Sequence, residues 1–299
     1  MIGSNVNIKS DQRYHQIRMV LIYVLVANLA VSLGKGVVGW SAGSIGMVAD
    51  AFHSLMDGSS NIIGLIGISL AAKPRDDSHS YGHAKFETFA SMGIVVLLLL
   101  TAFQIGESVY GRFTSDNPVV PETGLLPFAV MLVTIVVNIG VTLYERRQGK
   151  RLSSVFLVAD SRHTLSDVYV SISVIASLIA VRLGYPVLDA LAGGFIAIMI
   201  AYAAYGIMKE ASVVLLDRAV LDPRQVEEVC LSGGQPEIIG CHKIRTRGSE
   251  AGYWIDLHLL VDPDLTTRRS HDLASHVERR LKERYGEQTD VIIHIEPGR

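Results

Sequence analysis

The chain has few charged residues and almost no excess of either sign. Only 19% of its 299 residues are charged, whereas about 25% is usual in soluble domains. The net charge of −2 leaves no positive surplus for phosphates, so we expect no nucleic-acid partner. With 49% hydrophobic residues and a mean hydropathy of +0.34, the composition indicates a polytopic membrane protein with a soluble part.

Motifs of ATP-driven and catalytic proteins are also missing. The sequence contains no Walker A pattern, so we expect no ATP-driven machine. It contains no H-E-x-x-H pattern, which argues against an intramembrane zinc protease, and we expect no enzyme. The two cysteines, Cys230 and Cys241, form no C-x-x-C pair and indicate no disulfide framework.

Six apolar stretches have the length of about 20 residues that a bilayer requires. They lie near residues 18–40, 44–71, 88–110, 125–145, 153–181 and 187–209. Lysine and arginine concentrate in one set of connecting segments, so the positive-inside rule places both termini in the cytoplasm. We therefore predict a six-helix transmembrane domain over residues 1–210. Its glycines are expected to allow close helix packing, at Gly64, Gly67, Gly193 and Gly194.

Residues 211–299 have the pattern of a small cytosolic domain. Helices are predicted at 223–232 and 266–285, and strands at 242–247, 252–261 and 290–295. The second strand alternates in polarity around Asp256 and His258, as a half-buried strand does. The order α-β-β-α-β predicts an α+β domain of about 90 residues, large enough for its own core.

The pattern Asp-x-x-His-x-x-x-Asp occurs twice within the apolar stretches. Its copies are Asp50-Ala-Phe-His53-Ser-Leu-Met-Asp57 and Asp160-Ser-Arg-His163-Thr-Leu-Ser-Asp167. At about 100° per residue, the three polar residues of each copy return to one helical face. Ionisable groups at bilayer depth are costly, and they usually face a bundle interior and mark an ion path. The alternative is that they are hydrogen-bonded polar groups that only serve packing.

The four residues at i and i+4 are suited to a divalent transition metal. His53, Asp57, His163 and Asp167 offer two imidazole nitrogens and two carboxylate oxygens. That set can complete the tetrahedron that Zn²⁺ favours, whereas Mg²⁺ and Ca²⁺ require more oxygen ligands. The sequence therefore predicts an intramembrane zinc-type site formed by the second and fifth helices.

The first aspartate of each copy lies away from that centre. The two helices run antiparallel in this topology, so the displacements of about 4.5 Å point in opposite directions. Asp50 is predicted toward the outer side and Asp160 toward the cytoplasm. We interpret them as carboxylates on the ion path; an interhelical hydrogen bond is the alternative.

With these spans, both octets, the loop Lys73–Glu87 and the C-terminal domain, the chain resembles the cation diffusion facilitators. The resemblance implies a proton-coupled exporter of divalent transition metals that works as a homodimer in a lipid bilayer. It assigns transport to His53, Asp57, His163 and Asp167. Histidine at position 53, where some members have aspartate, favours Zn²⁺; Cd²⁺, Co²⁺, Fe²⁺ and Mn²⁺ are the other candidate cargoes.

The resemblance also implies metal sites outside the membrane. The first is a loop site, for which a solvated loop is the alternative: Asp76, His79 and His83. The second lies in the cytosolic domain, where a set of surface histidines is the alternative: His242, His258, His271, His294 and Glu296. Glu296 stands where close relatives carry aspartate. Lys85 and Asp217 are expected to form a charge interlock near the dimer interface, with two unpaired interfacial charges as the alternative.

Three functional interpretations remain beside proton-coupled zinc export. A metal sensor or assembly scaffold would keep the fold without transport, and an importer would use the same site in the other direction. An intramembrane metalloenzyme is disfavoured because four protein ligands leave no open position for catalytic water. Short loops, the lack of a targeting segment and the family resemblance predict a prokaryotic inner membrane.

Overall fold

The computed structural model describes residues 3–41, 51, 54–55, 58–114, 125–182, 186–249 and 251–298. The chain forms two compact units. One is Ser10–Ala211, and the other begins at Ser212 and includes the N-terminal residues up to Lys9. The predicted domain boundary after residue 210 lies beside this division.

Long helices make up the first unit. In the described part of the chain they are α1 (Gly3–Ser41), α2 (Ser59–Ala71), α3 (Lys85–Thr114), α4 (Leu125–Arg151), α5 (Val155–Arg182) and α6 (Pro186–Leu215). Segments long and apolar enough to cross a membrane lie at Gln12–Val38, Lys85–Gly111, Phe128–Arg151 and Gly193–Leu215, and α2 is a shorter apolar helix. These helices confirm the predicted polytopic α-helical fold.

The outer surface of these helices is apolar, as lipid contact requires. Trp40, Phe103 and Tyr202 are among the large hydrophobic side chains that the protein leaves exposed. Contiguous apolar surface of this kind marks a membrane-facing or interaction surface. The hydrophobic effect of water therefore drives little of the packing between helices, which depends on close contact.

Glycines provide that close contact at three of the four expected positions. A Cβ added at Gly64 would lie 2.3 Å from the Phe156 ring, and one at Gly67 would lie 2.3 Å from the Ala90 Cβ. One at Gly193 would lie 2.9 Å from Val109. The expectation was wrong for Gly194, where an added Cβ would meet nothing within 4 Å.

Helices α4 and α5 form a tight antiparallel hairpin. Only residues 152–154 separate them, and Ser153 turns the chain with a φ of 47°. Just before the turn, a Cβ added at Gly149 of α4 would lie only 3.0 Å from the backbone nitrogen of Val158 in α5. The close approach at Gly149 brings the next turn of α4, with Glu145, against the second turn of α5, with Asp160.

The second unit has the predicted order of elements. They are α7 (Pro223–Leu231), β1 (Ile238–Ser249), β2 (Gly252–Val261), α8 (Thr267–Tyr285) and β3 (Asp290–Pro297). The sheet has the order β1-β2-β3, antiparallel in its first pair and parallel in its second. Asp222 caps α7 by accepting a hydrogen bond from the Arg224 N–H, and Thr266 caps α8 in the same way.

Helices α7 and α8 pack on one face of the sheet. Ile255, Leu257 and Leu259 of β2 are buried in one core with Leu273 and Val277 of α8. The intervening residues of β2 point to the other face, as the alternation predicted. Both cysteines are free thiols within the core. The opposite face carries His242, His258 and His294.

Candidate metal centres

Helix α5 places the second half of the predicted transport site on one wall of a small cavity. His163 and Asp167, one turn apart, line it together with Thr164, Asn28 of α1 and Ser54. The cavity has a volume of about 20 Å³, which is enough for one water molecule or ion. Ser60 of α2 and Asn138 of α4 also line the cavity, which therefore lies between α1, α2, α4, α5 and the segment that contains Ser54.

His163 has the features of a ligand rather than of a packing residue. Its side chain is 4% exposed, and neither ring nitrogen has a hydrogen-bond partner among the described residues. Buried polar groups without partners are rare, since each costs the free energy of its lost hydration. A cation in the cavity would supply the missing partner.

The first half of the transport site lies outside the described residues. This applies to His53, Asp57 and Asp50. The described neighbour Ser54 lines the cavity and accepts a hydrogen bond of 2.7 Å from the Lys35 ammonium. The cavity wall therefore includes the residue next to His53, while the ligation by His53 and Asp57 stays a prediction.

Asp160 belongs to a buried network of hydrogen-bonded polar side chains. It is 0% exposed and accepts a hydrogen bond of 2.9 Å from the Asn61 amide of α2. Its carboxyl group contacts that of Glu145, which is also 0% exposed and accepts a hydrogen bond of 3.1 Å from the Thr164 hydroxyl. The alternative interpretation of Asp160, an interhelical hydrogen bond, is thus realised, and its place on an ion path stays a prediction.

Asp76, His79 and His83 come together in the loop between α2 and α3, with ligand atoms within 4.8 Å of one another. Hydrogen bonds, chiefly from the Ser78 hydroxyl and then from the His79 backbone N–H, lower the pKa of Asp76 to about 2. The carboxylate is therefore ionised at any physiological pH. One anionic oxygen donor and two imidazoles form a plausible ligand set for zinc.

The ring of His83 is oriented toward that ion position. Its Nδ1 lies 3.0 Å from the Pro74 carbonyl oxygen, which can only accept, so Nδ1 carries the proton. The other nitrogen, Nε2, faces the Asp76 carboxylate at 3.4 Å. Metal-binding histidines commonly use a carbonyl to fix the ring in this way. The loop site is thus arranged to accept a cation.

In the cytosolic domain, three histidines form a row across the sheet. His242 of β1 pairs with His258 of β2, which pairs with His294 of β3. Glu296, two residues along β3, accepts hydrogen bonds of 2.9 Å from His242 and 2.7 Å from His258. These bonds, with that from His258 contributing most, lower the pKa of Glu296, so its carboxylate is ionised.

Not all of the predicted cytosolic ligands join this cluster. Ligand atoms of His242, His258 and Glu296 lie within 4.8 Å of one another. His294 is adjacent, with its Nε2 3.8 Å from Glu296. His271 is exposed on α8, which packs against the opposite face of the sheet, so its ligation stays a prediction.

The predicted charge interlock of Lys85 with Asp217 also stays a prediction. Asp217 lies in the C-terminal unit, where its carboxylate pairs with the Arg247 guanidinium at 3.3 Å. Asp217 follows the end of α6 and has a positive φ of 53°. The alternative of an unpaired charge at Asp217 is therefore wrong.

Three buried charged residues of the described helical unit were not among the predicted site residues, and one of them, Glu87, pairs with Arg13 at 2.9 Å. Lys35 is 6% exposed within α1, and Glu145 is 0% exposed within α4. The signal available in the sequence was a charge inside an apolar stretch. Lys35 seemed to lie at a helix end, and Glu145 is followed by Arg146 and Arg147, so both resembled interfacial charges.

Comparison with known proteins agrees with this architecture. Residues 21–216 match the cation efflux transmembrane domain, and residues 221–298 match the cytoplasmic domain of cation efflux proteins. The chain belongs to the cation diffusion facilitator family. Members of this family move divalent metal cations out across membranes, and the second match identifies the C-terminal unit as the family's cytoplasmic dimer domain.

Similar proteins occur in archaea, bacteria and plants. The chain is 33% identical to an uncharacterized transporter of Methanocaldococcus jannaschii, over 88% of this chain and 92% of that protein. It is 30% identical to the cation-efflux pump FieF of Escherichia coli, over 86% and 85% of the two chains. It is 29% identical to metal tolerance protein C1 of Arabidopsis thaliana, over 92% of this chain and 61% of that protein.

Proposed function

We propose that this cation diffusion facilitator exports Zn²⁺ from the cytoplasm in exchange for protons, through a site formed by His53, Asp57, His163 and Asp167. The observation that carries the proposal is the buried imidazole of His163, which lines a cavity beside Asp167 and has no partner among the described residues. Two such pairs on facing helices supply the N₂O₂ set that Zn²⁺ favours.

The same ligand set predicts an order of preference among the candidate metals. Imidazole suits Zn²⁺, Co²⁺ and Cd²⁺ better than Mn²⁺, whose preferred ligands are oxygens. Fe²⁺ lies between them. We therefore expect Zn²⁺ to be transported best and Mn²⁺ least well.

Proton coupling follows from competition for the imidazoles. A free imidazole titrates near pH 6.5, and only its neutral form binds metal. Protons from the outer compartment would bind His53 and His163 as zinc leaves, and the neutral rings would form again on the cytoplasmic side. Asp57 and Asp167 compensate charge, and Asp50 and Asp160 lie on the outer and cytoplasmic parts of the path.

The exposed sites would regulate this cycle. Zinc at His242, His258 and Glu296, with His271 and His294 as further ligands, would tighten the homodimer and favour the arrangement that transports. The loop site of Asp76, His79 and His83 would bind zinc weakly at the cytoplasmic surface. The bacterial and archaeal relatives support a prokaryotic cytoplasmic membrane as the location.

Zinc flux from proteoliposomes with an imposed pH gradient tests the proposal. His163→Ala should reduce flux to background. The loss should exceed the roughly 10- to 100-fold decrease that is typical when an outer-shell partner of a metal ligand is removed. His15→Ala, an exposed histidine of α1, is the matched control and should transport normally.

Two results would contradict it. Normal flux from His163→Ala would remove the assigned site, and equal zinc flux with and without the pH gradient would remove proton coupling. A wild-type chain that binds zinc and dimerises but carries no flux would be a sensor or scaffold.

A further inference from the structure

Glu145 and Asp160 present two carboxylate groups to each other in the interior of the helical unit. Both side chains are 0% exposed, and their carboxyl groups are in contact. Apart from the hydrogen bond between the two groups, the donors that reach them are neutral: the Asn61 amide and the Ser60 hydroxyl at Asp160, and the Thr164 hydroxyl at Glu145. Neutral donors do not cancel two like charges. The pair must therefore hold a cation, either a proton shared in the hydrogen bond between the two carboxyl groups or a metal ion that displaces it.

One oxygen of each carboxyl group is left to the other carboxyl group. The second oxygen is satisfied by a neutral donor, the Thr164 hydroxyl at Glu145 and the Asn61 amide at Asp160, whereas Glu145 Oε1 and Asp160 Oδ1 have no such donor among the described residues. The hydrogen bonds therefore hold both carboxylates in place and leave one oxygen of each available. Fixed carboxyl oxygens are ligands that divalent cations accept once the shared proton is displaced.

The pair is connected to the transport cavity. The Thr164 hydroxyl that donates to Glu145 belongs to a residue that also lines the cavity. His163, next to it, is 4% exposed with no partner on either nitrogen, and it acts electrostatically on Asp160. A cation held by the two carboxylates would therefore lie next to the first imidazole of the transport site.

We propose that Glu145 and Asp160 form a second intramembrane cation site, which binds the divalent metal before it reaches His163 and Asp167. The inference rests on the proposed function, since it takes the transported metal as the ligand. It adds Glu145 to the functional residues and gives Asp160 a partner. The site uses oxygen ligands alone and would hold zinc more weakly than the N₂O₂ site, so the metal can move on.

The test is the dependence of the initial rate of zinc flux on zinc concentration. Glu145→Gln keeps the shape and the acceptor for Thr164 but removes the charge, so KM should rise by about tenfold while the maximal rate stays within about twofold. Glu145→Asp keeps the charge and should restore much of the affinity. Asp160→Asn should raise KM to a similar extent, and the double variant should be no worse than the stronger single variant, because both residues serve one ion.

Two matched controls separate charge and packing from binding. Glu210→Gln removes an equal charge from an exposed carboxylate that pairs with Arg162, and its KM should stay unchanged. Thr142→Val alters a buried polar residue one turn from Glu145 on the same helix, and its KM should also stay unchanged. If Glu145→Gln fails to assemble, Glu145→Asp and Asp160→Asn carry the test.

The inference is overturned if Glu145→Gln and Asp160→Asn have the wild-type KM. It is equally overturned if they only shift the pH dependence of flux, since the pair would then hold a proton and no metal. Its failure can be distinguished from that of the proposed function. If only the inference fails, wild type and the Glu145 and Asp160 variants all retain zinc flux, and His163→Ala still abolishes it. If the proposed function fails, wild type itself carries no zinc.

Discussion

His163 and His83, two proposed metal ligands, differ in how their imidazole rings are held. The Nδ1 of His83 donates to the Pro74 carbonyl, which fixes the ring and its proton. His163 lacks such a partner among the described residues, so packing alone orients it. A carbonyl or carboxylate partner raises the basicity of a ligating imidazole, and its absence weakens metal binding. A transport ligand must release its ion, and the bare ring of His163 fits that requirement.

The residue at position 53 should set metal preference. Exchanging His53 for aspartate replaces one imidazole by a carboxylate, and the ligand set becomes one nitrogen and three oxygens. Oxygen-rich sets suit Mn²⁺ better, so His53→Asp should broaden transport toward Mn²⁺ and Cd²⁺. The measurement is flux in proteoliposomes for each metal at equal concentration. A metal profile identical to that of wild type would show that selectivity resides elsewhere.

The sequence was sufficient to predict that His163 and Asp167 lie on one face of a helix, because their spacing repeats in an apolar stretch, and both residues line one cavity. It was insufficient for Glu145, whose burial depends on a neighbouring helix. The contact arises because Gly149 allows α4 to approach Val158 of α5 closely. Sequence spacing describes one helix at a time, so a carboxylate pair formed across two helices is visible only in the fold.

At the level of elements, helix contacts through glycine should decide the stability of the helical unit. Gly67→Ala would bring a Cβ to 2.3 Å from the Ala90 Cβ, which cannot rotate away. We expect a loss of about 1–3 kcal/mol in the free energy of unfolding. Gly140→Ala is the matched control, because a Cβ there meets nothing within 4 Å and helix propensity favours alanine.

Thermal unfolding of both glycine variants in detergent, followed by circular dichroism, measures the difference. The melting temperature of Gly67→Ala should fall below wild type, and that of Gly140→Ala should equal or exceed it. Equal melting temperatures for the two variants would show that α2 and α3 can separate at no cost.

The cytosolic elements were predicted well in order and less well in extent. Periodicity located β2, α8 and β3 within a few residues because each has one buried face. Strand β1 extends over Ile238–Ser249, beyond the predicted 242–247. Its pairing with β2 shifts register after His242, where Lys243 has a φ of 51°. This irregularity interrupts the alternation from which strand ends are predicted.

For the whole molecule, two kinds of metal site imply two separable activities. The membrane site is buried beside a cavity, whereas the loop and cytosolic clusters are partly open to solvent. Ions in the open sites exchange with the cytosol without crossing the membrane. In the proposed mechanism these open sites would report the zinc concentration to the dimer, and the buried site would carry the flux.

Removing the carboxylate of the cytosolic cluster should uncouple these activities. Glu296 contacts both His242 and His258, so Glu296→Gln deletes the charge that compensates the metal there. A ligand present at 100 times its Kd stabilises a folded protein by about 2.7 kcal/mol, and the variant should lose most of this gain. Its melting temperature should respond little to zinc, and zinc should no longer tighten its dimer in sedimentation, while zinc flux at saturation persists.

The matched control is Glu283→Gln, which changes an exposed carboxylate of α8 and should behave as wild type. A zinc response of Glu296→Gln equal to that of this control would show that the row of histidines binds no regulatory metal.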